Sequence, residues 1–180
     1  MRNIKDKFGS KKAVIKYYGY KALLVFGFYK PYDIKKFGRP CRLVFVCAGN
    51  ICRSPLAAAA AESLGFAAVS FGLDTRGGDN ADRRAVAYGQ SKGLDLTQHQ
   101  TQIAGNYNAL PGDLIVAMEP KHIRSYEKLN LETPITLLGL YGKERIPYIH
   151  DPYSSNEVYF NKCEERVFQK VSSLVLYLRK

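Results

Sequence analysis

The chain has 180 residues, 46% of them hydrophobic and 24% charged, which is enough to bury a real core in one compact domain. Its four cysteines show no paired short spacings and no convincing secretory signal precedes them, so a reducing, cytoplasmic setting is expected. The formal charge of +11 is concentrated at one end, so the basicity belongs to a segment and not to the whole molecule.

Residues 1–40 carry eleven basic side chains against Asp6 and Asp33, which accounts for +9 of the net charge. Nine aromatic residues are interleaved, Tyr17, Tyr18, Tyr20, Phe26, Phe28 and Tyr29 among them. Helical periodicity is interrupted at Gly19 and Gly27. The longest apolar run, residues 22–28, is far too short to span a bilayer. No small-residue cleavage site follows it, which argues against a secretory signal. The segment reads as a basic, aromatic-rich N-terminal extension. It is either a solvated tail or a surface that docks on an anionic membrane, and no nucleic-acid partner is expected.

From residue 41 onward, strand-like and helix-like segments alternate, which points to an α/β fold with a parallel sheet over residues 41–180. Strands are expected at 43–46, 67–70, 114–117 and 134–137, and helices at 54–64, 82–92, 120–128 and 157–178. The last helix carries Phe160, Cys163, Val167, Val171, Leu174 and Leu178 at spacings of three and four, which places Cys163 in the core. Cys41, before the first strand, has no evident role. The three histidines, His99, His122 and His150, show no metal-ligand spacing, so no metal and no cofactor are expected.

The chemistry is concentrated in Val46-Cys47-Ala48-Gly49-Asn50-Ile51-Cys52-Arg53-Ser54-Pro55. A buried strand runs into Cys47. Ser54 is placed to cap the following helix and Pro55 to occupy its first turn. The backbone N–H groups of Ala48, Gly49, Asn50, Ile51, Cys52, Arg53 and Ser54 can curl into an anion-binding nest, reinforced by the helix dipole. A phosphate fits such a cradle, with Cys47 at its base. The ring of amide dipoles and Arg53 favour the thiolate, which is the nucleophilic form. The planar fork of Arg53 can hold two phosphate oxygens while the transferring group is trigonal. Gly49 allows a close or left-handed backbone, and Asn50 tolerates that region better than most residues. The Ser54 hydroxyl can donate to the sulfur and steady it as a leaving group. Cys52 shares this tight loop with Cys47, close enough for a reversible disulfide that protects the nucleophile from overoxidation.

In these residues the chain resembles the low-molecular-weight protein tyrosine phosphatases, in their bacterial form, whose loop reads Cys-x-Gly-Asn-x-Cys-Arg-Ser-Pro. The family's second signature, Asp-Pro-aromatic, is supplied by Asp151-Pro152-Tyr153. Further landmarks are Ala81-Asp82-Arg83, His99 and residues 112–119, and the resemblance extends over residues 42–180. It implies a central four-stranded parallel sheet flanked by helices, with the phosphate loop at a strand's carboxyl end. It implies hydrolysis of phosphotyrosine through a phosphocysteine intermediate, with Cys47 and Arg53 joined by Asp151 as the general acid and Tyr153 as a wall for the substrate ring. Ser70 and His99 match positions that hold the loop asparagine, here Asn50, and Glu119 falls where it can help position the acid loop. The expected substrates are tyrosine-phosphorylated proteins, including kinases of polysaccharide export, and the basic extension suits recruitment to such a membrane kinase.

There are departures from the family pattern. The loop of residues 72–80 lacks the aromatic wall that many members carry, the chain has no tryptophan, and Ala48 replaces a larger residue, so a more open slot is expected. Arg76 in that loop is either solvated or faces an acidic group beside the phosphotyrosine. Two other readings share the fold class. An arsenate reductase needs further redox cysteines, and residues 119–126 hold none. A non-catalytic phosphotyrosine-binding module has no need of both Cys47 and Asp151.

Overall fold

The computed structural model describes residues 4–180. Four short apolar runs pair in parallel, β1 (Arg42–Cys47), β2 (Ala68–Gly72), β3 (Asp113–Ala117) and β4 (Ile135–Leu137), in the order β2-β1-β3-β4. Leu43, Val44, Phe45 and Val46 of β1 are fully buried, as a strand covered on both faces must be. Each such side chain contributes roughly 1.5–3 kcal/mol through burial. Val46 lies opposite Phe71 on one side and Ala117 on the other. The chain leaves β1 for one neighbour and returns to the other, so the strand order reverses at the carboxyl end of β1. Open α/β sheets bind their ligands in the crevice this reversal creates.

The helices are α1 (Ile4–Phe8), α2 (Lys11–Val25), α3 (Arg53–Ser63), α4 (Arg83–Ser91), α5 (Pro120–Glu127) and α6 (Glu157–Leu178). None of them is long and apolar enough to cross a membrane. All eight elements expected beyond residue 41 are present, α6 with the ends expected and the others with ends shifted by one or two residues. β2 runs on to Gly72 because Phe71 is buried in the core and the Gly72 N–H donates to the Gln102 carbonyl at 2.8 Å. Gly72 is required there, since a Cβ would lie 2.8 Å from the Ala48 carbonyl oxygen and 2.5 Å from Thr75 Cγ2. The start of α3 corrects the capping expectation. Cys52, not Ser54, is the N-cap residue, and it makes no side-chain cap. The Ser54 hydroxyl is turned into the preceding loop, where it meets Cys47 Sγ and Asn50 Nδ2.

The stripe on α6 is buried as its spacing requires, and Cys163 lies in it. Glu164, one residue on, is buried as well and was not anticipated. Cys41 is exposed.

Residues 4–40 are not a free tail. Ala13 of α2 is buried in a cluster with Ile146 and Tyr148, Tyr29 and Ile34 join the main core, and the Thr136 hydroxyl donates to the Tyr32 carbonyl at 2.7 Å. The periodicity of α2 is unclear because both of its faces are apolar. Ala13, Tyr17, Tyr20 and Leu24 turn towards the domain. Ile15, Tyr18 and Val25, with Phe26 just beyond the helix, face outward, Ile15, Val25 and Phe26 being 76–78% exposed.

Candidate active site

β1 delivers Cys47 to the floor of the crevice and α3 brings Arg53 back over it, which leaves Ala48 to Cys52 to curl between the two. The curl depends on Asn50, whose φ of +56° lies in the left-handed region. Asn50 is fully buried and all of its polar groups are used. Its backbone N–H donates to Cys47 Sγ at 3.3 Å. Its Nδ2 donates to Ser54 Oγ at 2.9 Å and to Ser70 Oγ at 2.8 Å. Its Oδ1 accepts from the Gln102 N–H at 2.9 Å. His99 Nε2 lies 2.8 Å from the Asn50 carbonyl, so the ring proton sits on that nitrogen. Burial lowers the His99 pKa despite this bond, which keeps the ring neutral.

Ser54 Oγ accepts from Asn50 Nδ2 and lies 3.0 Å from Cys47 Sγ, which leaves its O–H available to donate to the sulfur. The sulfur thus has one backbone N–H and one hydroxyl within hydrogen-bond distance.

Arg53 is almost completely buried. Its Nη1 donates to Glu119 Oε1 at 3.2 Å and to the Ile149 carbonyl at 2.9 Å, and its Nη2 pairs with Asp151 Oδ2 at 2.7 Å. Nε has no partner among the described residues and is left as a donor for an incoming anion. Burial works against the charge, but Asp151, Cys47 and Glu119 hold the guanidinium pKa above its usual value. His122, beside Glu119, is pushed down to about 2 by burial and by Arg53 and Lys121, so it adds no second cation.

The Asp151 side chain is 34% exposed. The Tyr153 N–H donates to Asp151 Oδ1 at 3.1 Å, a turn that stiffens the Asp-Pro-Tyr segment. Arg84 fastens the same loop, donating from Nη2 to the Tyr153 carbonyl at 2.9 Å and from Nη1 to the Ser155 carbonyl at 3.3 Å. Arg84 is itself held by Asp82 and lies 4.1 Å over the Phe160 ring. A cleft of about 370 Å³ opens between the two loops, lined by Cys47, Ala48, Gly49, Ile51, Cys52, Arg53, Asp151 and Tyr153, with Asp74, Thr75, Arg76 and Asp79 opposite. Exposed Tyr153 forms part of its rim. A buried nucleophile, an arginine and a carboxyl group facing one anion-sized cradle form a constellation suited to phosphoryl transfer.

The family model for low molecular weight phosphotyrosine protein phosphatases matches residues 42–180. The chain belongs to that family. The low molecular weight phosphotyrosine protein phosphatase of Sus scrofa is 30% identical over 145 residues, covering 71% of this chain and 87% of that one. A probable low molecular weight protein-tyrosine-phosphatase, EpsP of Ralstonia nicotianae, is 29% identical over 139 residues, covering 76% of this chain and 95% of its own. Among solved structures, the Erwinia amylovora tyrosine phosphatase amsI superposes with a TM-score of 0.72 at 26% identity, over 81% of this chain and 97% of that chain. The protein is therefore a protein-tyrosine phosphatase, of a family that works through a phosphocysteine intermediate.

Three features of this phosphatase could not be read from its motifs. Arg84 ties down the acid loop from the position immediately after the Ala81-Asp82-Arg83 landmark, but its partners are carbonyls far away in sequence. Gln102 serves Asn50 through its backbone, where residue identity leaves no trace. Glu164 is buried beneath the loop with neither carboxylate oxygen partnered among the described residues. Burial pushes its pKa up to about 8, with Arg53 opposing the rise and Asp82 and Asp151 adding to it.

Glu164 makes stability depend on pH. An unfolded glutamate titrates near 4.5, whereas the folded one holds its proton to about 8. The native state therefore binds more protons between these values, and stability is lost as pH rises through that window. Glu164→Gln is expected to match wild type near pH 4.5 and to be roughly 1–3 kcal/mol more stable near pH 8. Melting curves across that range check this, and a gap independent of pH would contradict it.

Proposed function

We propose that this is a cytoplasmic phosphatase in which Cys47 Sγ attacks the phosphorus of a phosphotyrosine residue. The S–P bond forms as the bond to the tyrosyl oxygen breaks, and Asp151 passes its proton to that oxygen. Backbone N–H groups of residues 48–54 and the Arg53 guanidinium hold the phosphoryl oxygens. The incoming phosphoryl group takes the Arg53 Nη2 that Asp151 occupies in the free enzyme, which releases Asp151 towards the leaving oxygen. Water then attacks phosphorus, Asp151 accepts its proton, and the sulfur leaves with the Ser54 hydroxyl donating to it. Ser70 and His99 hold the loop through Asn50. Tyr153 offers a face to the substrate ring, and the opposite side of the slot is formed by Asp74, Thr75, Arg76 and Asp79 in place of an aromatic wall. The observation that carries this reading is the Arg53 bridge, which joins the nucleophile's loop to the acid at 2.7 Å.

The test is hydrolysis of a phosphotyrosyl peptide with a chelator present. Steady release of phosphate, with labelled phosphate trapped on the protein in acid-quenched samples, is expected. Turnover that requires an added divalent metal would reject the mechanism.

Burial, with the carboxylates of Glu164 and Asp82, raises the Cys52 pKa, so Cys52 rests as a thiol beside the nucleophile. We assign it the protective partner's role, forming a reversible disulfide once peroxide oxidises Cys47. Residues 1–40 are best treated as an extension carried by the 41–180 domain. The outward face of α2, with Phe26 just beyond its end, sets Ile15, Tyr18, Val25 and Phe26 among Lys11, Lys12, Lys16 and Lys21, a combination that suits an anionic lipid surface, where a kinase of polysaccharide export would be met. Co-sedimentation with vesicles containing phosphatidylglycerol, lost in high salt and in Phe26→Glu, is expected. Equal binding to pure phosphatidylcholine vesicles would reject it.

A further inference from the structure

The inward face of the extension meets the acid loop from both sides. His150 directly precedes Asp151, and Asn156 closes the loop as the N-cap of α6. The His150 Nδ1 lies 2.8 Å from the Tyr148 hydroxyl, and the Tyr148 ring lies 5.2 Å from that of Tyr20 in α2. Ala13 is packed with Ile146 and Tyr148. Between α1 and α2, the chain at Gly9 presses on the His150 and Tyr159 rings so closely that a Cβ would lie 2.7 Å from His150 Cδ2 and 2.8 Å from Tyr159 Cε1. Ser10 Oγ, the N-cap of α2, stands 3.5 Å from His150 Nε2, at the outer limit of a hydrogen bond. At the other end of the loop, Asn156 Nδ2 donates to Asp6 Oδ1 at 2.8 Å, and Lys162 Nζ donates to the Asp6 carbonyl at 3.0 Å.

We infer that residues 6–20 of the extension position the Asp151 loop for proton transfer, with Ala13 and Tyr20 as its positioning residues. The inference rests on the proposed role of Asp151 as general acid. The part of the chain matching the family begins at Arg42, so this brace is an addition to the family's domain. Its physical rationale is entropic and geometric. Asp151 stands on a partly exposed loop, and loops are the mobile parts of a scaffold. A general acid acts only within about 2.6–3.2 Å of the oxygen it protonates. A misplacement of about 1 Å in such a group can cost about 10²-fold in rate. Ties within the domain, from Arg84 to the Tyr153 and Ser155 carbonyls and from the Cys163 thiol to the His150 carbonyl, hold the loop from beneath. The extension closes on it from outside, through the His150 ring and Asn156.

A merely structural role for the extension would affect all substrates alike, whereas a role in positioning the acid depends on how much the leaving group needs a proton. The experiment compares kcat/KM for phenyl phosphate, whose phenolate leaves poorly, with p-nitrophenyl phosphate, whose phenolate leaves well. Full-length wild type, Ala13→Glu and Tyr20→Ala are assayed, with Asp151→Asn defining complete loss of the acid. Ala13→Glu drives a charge against Tyr148. Tyr20→Ala removes the ring contact without burying a charge, and keeps the test decisive if the first variant does not fold. The expected result is a fall of about tenfold or more on phenyl phosphate and a clearly smaller fall on p-nitrophenyl phosphate, part of the way to the split in Asp151→Asn. Equal factors on both substrates, or no change on either, overturn the inference. If Asp151→Asn itself shows no split, the general-acid assignment falls, and the inference falls with it.

Discussion

Replacing Cys47 with serine is expected to lower phosphotyrosine turnover by about 10⁴-fold or more while substrate affinity changes only a few-fold. The two atoms differ little in size, and the contacts that would hold a phosphoryl group are made by backbone N–H groups and by Arg53, not by the sulfur. Asn50, Ser54, Ser70 and the Gln102 N–H fix the loop through bonds that do not include residue 47. What the substitution removes is the sulfur nucleophile, which lies 3.3 Å from the Asn50 nitrogen and 3.0 Å from the Ser54 hydroxyl oxygen. A serine hydroxyl in the same place stays protonated, and no base lies within reach among the bonds made there. Steady-state turnover and titration of a phosphotyrosyl peptide into the variant separate the two effects. If affinity were lost together with turnover, Cys47 would be shaping the loop and not reacting.

The phosphate loop was legible because its chemistry is local. Nine consecutive residues supply the nucleophile, the curl, the N–H groups and the arginine, so order along the chain maps directly onto geometry. The strands were legible for a similar reason, since a fully buried parallel strand is a continuous apolar run. Legibility ended where partners are distant. Nothing local marks Arg84 as the tie for Tyr153 and Ser155, or Glu164 as a buried carboxyl without a partner among the described residues. Ser54 misled for a physical reason. Serine before an alanine-rich helix is a good cap, but here the hydroxyl is spent on Cys47 and Asn50. The helix α2 hid itself by having two apolar faces, one against Tyr148 and the core and one towards solvent, which cancels the periodicity by which amphipathic helices are found.

Arg53→Lys is the second decisive change, and a fall in kcat/KM of about 10²–10³-fold is expected with the charge retained. The guanidinium serves three protein partners at once, Glu119, the Ile149 carbonyl and Asp151, and still has Nε for the substrate. Its planarity makes this possible, because one edge can stay with the protein while another turns to the phosphoryl oxygens. A lysine ammonium carries the same charge, but as a single point with three donors, so it cannot keep Glu119 and the Ile149 carbonyl and also present two hydrogen bonds to a trigonal phosphoryl group once Asp151 is released. The loss should fall more on kcat than on KM, since the fork fits the transition state better than the tetrahedral ground state. Burial sharpens the contrast. Arg53 lies out of solvent, so no water restores the bonds lysine leaves unmade, and Glu119, also buried, loses part of its partner. Kinetics of the variant on p-nitrophenyl phosphate, with a melting curve to show that it is folded, make the measurement. Turnover within about fivefold of wild type would mean that charge alone suffices, and the geometric role given to Arg53 would have to be withdrawn.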